Sequence, residues 1–115
     1  MSIQIIHSSA STDRLTSNGA VSIPLGEPVC KTASLEVVVP ERSSCKTGIW
    51  ECSPGRFERQ VAAGEVMHFL SGCGEFRSTD GTLIKFSQGD TLFFSPSTYG
   101  VWDIKETVRK VYVMI

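Results

Sequence analysis

The sequence holds few side chains equipped for catalysis or metal binding. Its four cysteines, Cys30, Cys45, Cys52 and Cys73, lie 15, 7 and 21 positions apart with no CxxC pair, so neither a zinc ribbon nor a dithiol motif is spelled out. Only His7 and His68 could complete a mixed cysteine–histidine cluster, and the cysteines read as small core or surface residues. Serines and threonines are abundant, but no His/Asp arrangement accompanies them and no GxSxG, GxGxxG or phosphate-binding loop occurs, which argues against triad hydrolysis and nucleotide binding. Arg109 and Lys110 are adjacent, so on a strand they face opposite ways. One of them is expected to be buried with Glu51 or Asp103.

The elements that carry these residues are short. From Ser34 onward, apolar runs alternate with turn signals: SLEVVV, TGIWEC, EVMHFL, EFRS, TLIKF, TLFF, VWDI and VRKVYVMI, punctuated by PER, PG, SGCG, TDG, SQGD and SPS. That rhythm belongs to an antiparallel sandwich or barrel. No longer window escapes a Gly, Pro or Asp-Gly break, so an all-β chain is predicted. A hairpin from Glu75 to Phe86 should turn at Asp80-Gly81, where glycine supplies a positive φ. Alternation puts Glu65, Met67 and Phe69 on one face of a strand and Val66, His68 and Leu70 on the other. Ahead of these runs, SSASTDRLTSN (8–18) is polar and reads as an arm or long loop.

A chain of 115 residues is room for one domain. Eleven basic and twelve acidic residues give a net charge of −1, leaving no basic excess to neutralise a phosphate backbone, so nucleic acid is not an expected partner. No apolar stretch approaches the roughly 20 residues of a membrane span. The N-terminus lacks a basic n-region and a full apolar h-region, and a cytoplasmic protein without a membrane partner is expected.

The ordered motifs resemble the cupin family. EVMHFLSG (65–72) is similar to the latter half of the first cupin motif, a glutamate followed by six residues and a glycine. QGDTLFFSPSTYGVW (88–102) is similar to the second. GIWECSPG (48–55), GVW (100–102) and VRKVYVMI (108–115) resemble the small single-domain cupins related to the ureidoglycine aminohydrolase cupin domain. The resemblance implies a double-stranded β-helix, a jelly-roll barrel of two antiparallel sheets, with residues 1–30 as an N-terminal arm and 31–115 as the barrel. It also implies a homodimer formed by sheet extension, and it turns Glu65 into the barrel.

Most cupins hold a metal through H-x-H, a glutamate three or four residues on, and a histidine in the second motif. Aligned on Glu65, the two histidine positions fall on Arg59 and Val61 or on Glu58 and Gln60, and the last on Gly100. A lone carboxylate does not hold a transition metal against water. The expectation is therefore a protein with no metal and no cofactor, in which Arg59 replaces the metal as counter-charge to Glu65; an all-oxygen set of Glu58, Gln60 and Glu65 is the alternative.

Three functional readings follow. In the first, a metal-free barrel binds a small organic ligand, with Glu65 and Arg59 as polar anchors and Trp50, Phe57 and Trp102 around it. In the second, an aminohydrolase, lyase or isomerase acts on a small ureido, carbonyl or sugar-like substrate with Glu65 as general acid or base. In the third, the barrel is filled by its own side chains and serves a structural role. Fold alone does not choose among them.

Overall fold

The computed structural model describes residues 2–115. Eight strands are present among them: β1 (Thr16–Ala20), β2 (Lys31–Val37), β3 (Thr47–Cys52), β4 (Gly55–Val61), β5 (Glu65–Ser78), β6 (Leu83–Ser87), β7 (Thr91–Phe94) and β8 (Thr98–Met114). All pairings are antiparallel. No helix among the described residues is long and apolar enough to cross a membrane.

The two long strands organise the barrel. The first part of β5 pairs with β7 and with the last part of β8, which continues through β3 and β2 to β1. The second part of β5 pairs with β6 and with the first part of β8, which carries β4. Register shifts between Phe69 and Gly74 bend β5 from one sheet into the other, as bulges do when a ladder must turn a corner. Gly72 sits at this bend with φ +83°, and a Cβ there would collide with the backbone of Thr107. The predicted hairpin forms between β5 and β6, with Phe76 opposite Ile84 and Gly81 at φ +93°.

Alternation fills the interior from both sheets. Phe69 stacks on Phe86 at 4.2 Å between ring centroids, and Trp102 packs against Phe76, Phe86 and Phe94 at 4.7, 5.7 and 5.6 Å. Aromatic pairs at these separations add to the burial of their area. Cys30 and Cys52 complete the core as free thiols, and burial pushes both up from their ordinary pKa.

Part of the N-terminal segment joins the sheet, since β1 adds to the edge of β2. The residues before it are tied to the barrel by Arg109. Its guanidinium donates to the carbonyls of Ser9 at 3.1 Å and Thr12 at 2.8 Å, and to Glu51 at 3.4 Å. Of the two adjacent cations, Arg109 is thus the one that meets Glu51. Asp103 is met by Lys105 at 2.9 Å and by Arg56 at 4.0 Å.

Candidate functional site

Glu65 opens β5 and faces the interior with Met67 and Phe69, as the alternation requires; all three are buried. Its counter-charge is not Arg59. Lys110 Nζ donates to Glu65 Oε2 at 3.0 Å, and the two side chains are only 3% and 2% exposed. The register explains the exchange: Lys110 lies opposite Phe69 on one side and Trp50 on the other, on the inner face of the sheet that carries Glu65. Arg59 comes from β4, opposite Gly100, in the other sheet.

Lys110 is enclosed chiefly by aromatic rings. Its ammonium stands 4.6 Å from the centroid of Trp50, 5.7 Å from Trp102 and 5.9 Å from Tyr112, with Met67 Sδ at 3.3 Å. Ring faces attract a cation and partly offset its lost hydration. Burial still holds the Lys110 amine down to about 8, although Glu65 pulls it back up; the Arg59 charge pushes in the same direction as burial.

Arg59 itself makes no ion pair among the described residues. Half-buried, it places its guanidinium carbon 6.0 Å from the centroid of Trp50, the ring that also covers Lys110. It borders two open clefts. One, of about 330 Å³, is lined by Trp50, Phe57 and Thr32 beside β1; the other, of about 310 Å³, is lined by Lys46, Val61, Ala62, Glu65 and Met114. The structure therefore places Arg59 between two neighbouring clefts, with Trp50 and Phe57 lining one and Glu65 the other. Trp102 is not among these residues: it is 2% exposed, lines neither cleft, and is the hub of the aromatic core. Its indole N–H is buried without a hydrogen-bond partner among the described residues.

The oxygen ligands considered for a metal do not converge. Glu58 accepts a hydrogen bond from the Tyr99 hydroxyl at 2.8 Å and lines the other cleft, and exposed Gln60 shares the cleft of buried Glu65 without a second carboxylate. Gly100, the position of the missing histidine, has no room for a side chain, since a Cβ would lie 2.6 Å from the Phe76 ring and collide with the Arg77 carbonyl. The residues present do not fit the metal site of the wider fold. His68 is exposed on the outer face, where it is hydrogen-bonded to Thr91.

A larger cleft of about 670 Å³ lies away from these residues, along β6 and β7, with Phe76, Leu92 and Phe94 among its walls. Its carboxylates are engaged locally: Asp80 holds Ser78 and the Thr82 amide, and Asp90 caps the Ser87 amide at 2.8 Å. The mouth around Arg59 is where a half-buried cation remains unpaired beside an aromatic ring. We therefore take that mouth as the candidate site.

Two antiparallel sheets sharing two bent strands, rolled around an aromatic interior with one inward glutamate, define a cupin. The chain belongs to the EutQ-like cupin domain family, whose pattern matches residues 40–112. Among solved structures, a DUF861-family protein from Pseudomonas syringae is similar at 22% identity and a TM-score of 0.77, over 88% of this chain and 44% of that one. The chain thus spans less than half the length of that relative. The EutQ protein of Clostridium difficile is similar at 19% identity and a TM-score of 0.65, over 81% and 75% of the two chains. A DUF861-family protein from Thermotoga maritima shares 28% identity over 58% and 76%, with a TM-score of 0.57. No protein of curated function matches the sequence.

Proposed function

We propose that the protein is a metal-free cupin that binds a small, flat organic ligand at the barrel mouth formed by Trp50, Phe57 and Arg59. The observation that carries this reading is the unpaired, half-buried guanidinium of Arg59, bordering two clefts and close to the Trp50 ring. A cation held partly out of water without a partner is a recognition group by default, since structural arginines in such places are ordinarily paired. Lys110 and Glu65 neutralise each other beneath it. They serve as part of the scaffold, so the reading is one of binding and not of turnover through Glu65. The narrower kinship to ureidoglycine aminohydrolase cupins supports it only in that the segments behind it supply Trp50 and Lys110.

The test is a titration of small planar compounds followed by tryptophan fluorescence. At least one chemical class should quench the emission, and Trp50→Phe should remove the response. Arg59→Gln should weaken the same compounds about tenfold, the usual worth of a charge-assisted hydrogen bond. The filled aromatic interior favours a second reading, a purely structural barrel. Blue-shifted emission, no response to any compound and negligible acrylamide quenching would establish that reading instead.

A further inference from the structure

Resting on that reading of the mouth, we infer that its ligand is an organic monocarboxylate, with the carboxylate received by Arg59 and Lys46 and the flat body laid toward Trp50. The argument is one of charge and place. The cleft on the Glu65 side of Arg59 carries three charged side chains: Lys46, Arg59 and Glu65. Glu65 is already spent on Lys110 at 3.0 Å, and neither Lys46 nor Arg59 has an ion-pair partner among the described residues. The cleft therefore holds two uncompensated positive charges, one half-buried and one exposed.

The remaining walls named above, Val61, Ala62 and Met114, are apolar. Ser44 and Gln60 add neutral polar groups to the same cleft, so with Glu65 paired to Lys110 the two cations are its unpaired charged side chains. A guanidinium presents parallel N–H donors that match a carboxylate two at a time, whereas an ammonium such as Lys46 acts as a movable point charge. Arg59 also borders the cleft that contains Trp50 and Phe57. A ligand whose anionic end meets Arg59 can thus place a planar body on the aromatic side of the same residue. A dianion such as phosphate would satisfy the charge but leave that aromatic surface unused.

Three probes distinguish the possibilities: benzoate, its neutral isostere benzamide, and inorganic phosphate, each titrated calorimetrically against the intact protein. Benzoate is expected to bind at least about tenfold more tightly than benzamide, the factor set by a charge-assisted hydrogen bond. Arg59→Gln should reduce benzoate to the level of benzamide while leaving benzamide unchanged. Exposed Lys46→Gln, a substitution with little risk to folding, should weaken benzoate about threefold, and added salt should reproduce part of that loss. If benzamide binds as well as benzoate, the carboxylate class is wrong while the aromatic mouth stands. Tighter binding of phosphate than of benzoate also overturns the monocarboxylate. If none of the three binds, this inference falls, and the reading beneath it falls with it when the planar compounds also leave the tryptophan emission unchanged.

Discussion

Lys110 Nζ and Glu65 Oε2 lie 3.0 Å apart in the barrel, with both side chains almost wholly removed from water. The counter-charge to this inward glutamate is thus an ammonium from the last strand of the barrel. Arg59, which the motif alignment offered for that task, is left to face the clefts. The consequences for stability and for binding separate along the same line.

Removing either partner should cost more than removing both. Glu65→Gln leaves a buried lysine without its carboxylate, and Lys110→Met leaves a buried carboxylate alone; each is expected to destabilise the fold by about 3–5 kcal/mol. The double variant Glu65→Gln/Lys110→Met should recover much of the loss, because its two groups are uncharged. Urea denaturation of the four proteins measures the coupling. Additive losses would mean that the pair does not interact as its geometry indicates.

Stability should rise with pH above 8. Lys110 has its folded pKa lowered to about 8 from 10.5, so between those values the unfolded chain binds more protons than the folded one and alkali favours the folded state. The cost of the buried ammonium is fully present below pH 8 and is relieved as pH climbs toward 10.5. At about 1.4 kcal/mol per pKa unit the limit is about 3 kcal/mol. Cys30 and Cys52, whose thiols burial raises, oppose the trend once the unfolded chain's thiols begin to ionise near pH 9, and Tyr112, raised by burial, opposes it in the phenol range, so the lysine is read from the difference between wild type and Lys110→Met. Denaturation of wild type and Lys110→Met at pH 7.5 and 9.5 checks the sign, since both proteins share the thiol contributions and differ in the lysine. A stability difference between wild type and Lys110→Met that does not shift in favour of the wild type from pH 7.5 to 9.5 contradicts the assignment.

Restoring a metal site by mutation should fail at Gly100. A side chain there meets the Phe76 ring and the Arg77 backbone, and overpacking of this kind costs about 1–3 kcal/mol or more. Gly100→His is expected to lower the denaturation midpoint without conferring retained zinc or nickel in elemental analysis after mild chelation. The wild-type protein should likewise carry no stoichiometric transition metal, because Arg59, Val61 and Gly100 supply no ligand and Glu58, bonded to Tyr99, lines a different cleft from Glu65. One equivalent of retained metal in the wild type would refute that expectation.

The N-terminal segment should loosen without the barrel. Arg109 holds the carbonyls of Ser9 and Thr12, so Arg109→Ala removes two charge-assisted bonds to that segment at once. Amide exchange in residues 2–14 is expected to accelerate at least about tenfold, while β5 and β8 stay protected. Equal acceleration in both regions would make Arg109 a general core residue.

Much of this architecture was legible in the sequence. Turn signals at short intervals gave an all-β chain and period-two alternation put Glu65 on one face with Met67 and Phe69, while the barrel and the inward direction of that face came from the resemblance to cupins. The partner of Glu65 was not legible, because choosing between Arg59 and Lys110 requires knowing which sheet each strand joins. Register shifts between Phe69 and Gly74 reset the alternation along β5 against β8, so adjacency alone told that Arg109 and Lys110 part company but not which one enters. Trp102 was misplaced for a similar reason. The second motif brings it near a cavity in outline, yet Phe76, Phe86 and Phe94 arrive from three separate segments to enclose it. The combination of Lys110 and Tyr112 on one face, two positions apart, was the available signal for a lysine among aromatic residues.

The most direct measurement of the central claim uses the chain's two tryptophans, which give two indole N–H resonances in a nitrogen-15 correlation spectrum. On titration with benzoate, the Trp50 resonance at the mouth is expected to move progressively and saturate, while that of Trp102 in the core stays in place. Movement of Trp102 ahead of Trp50, or no movement of either, would contradict a ligand site built on Arg59 above a filled barrel.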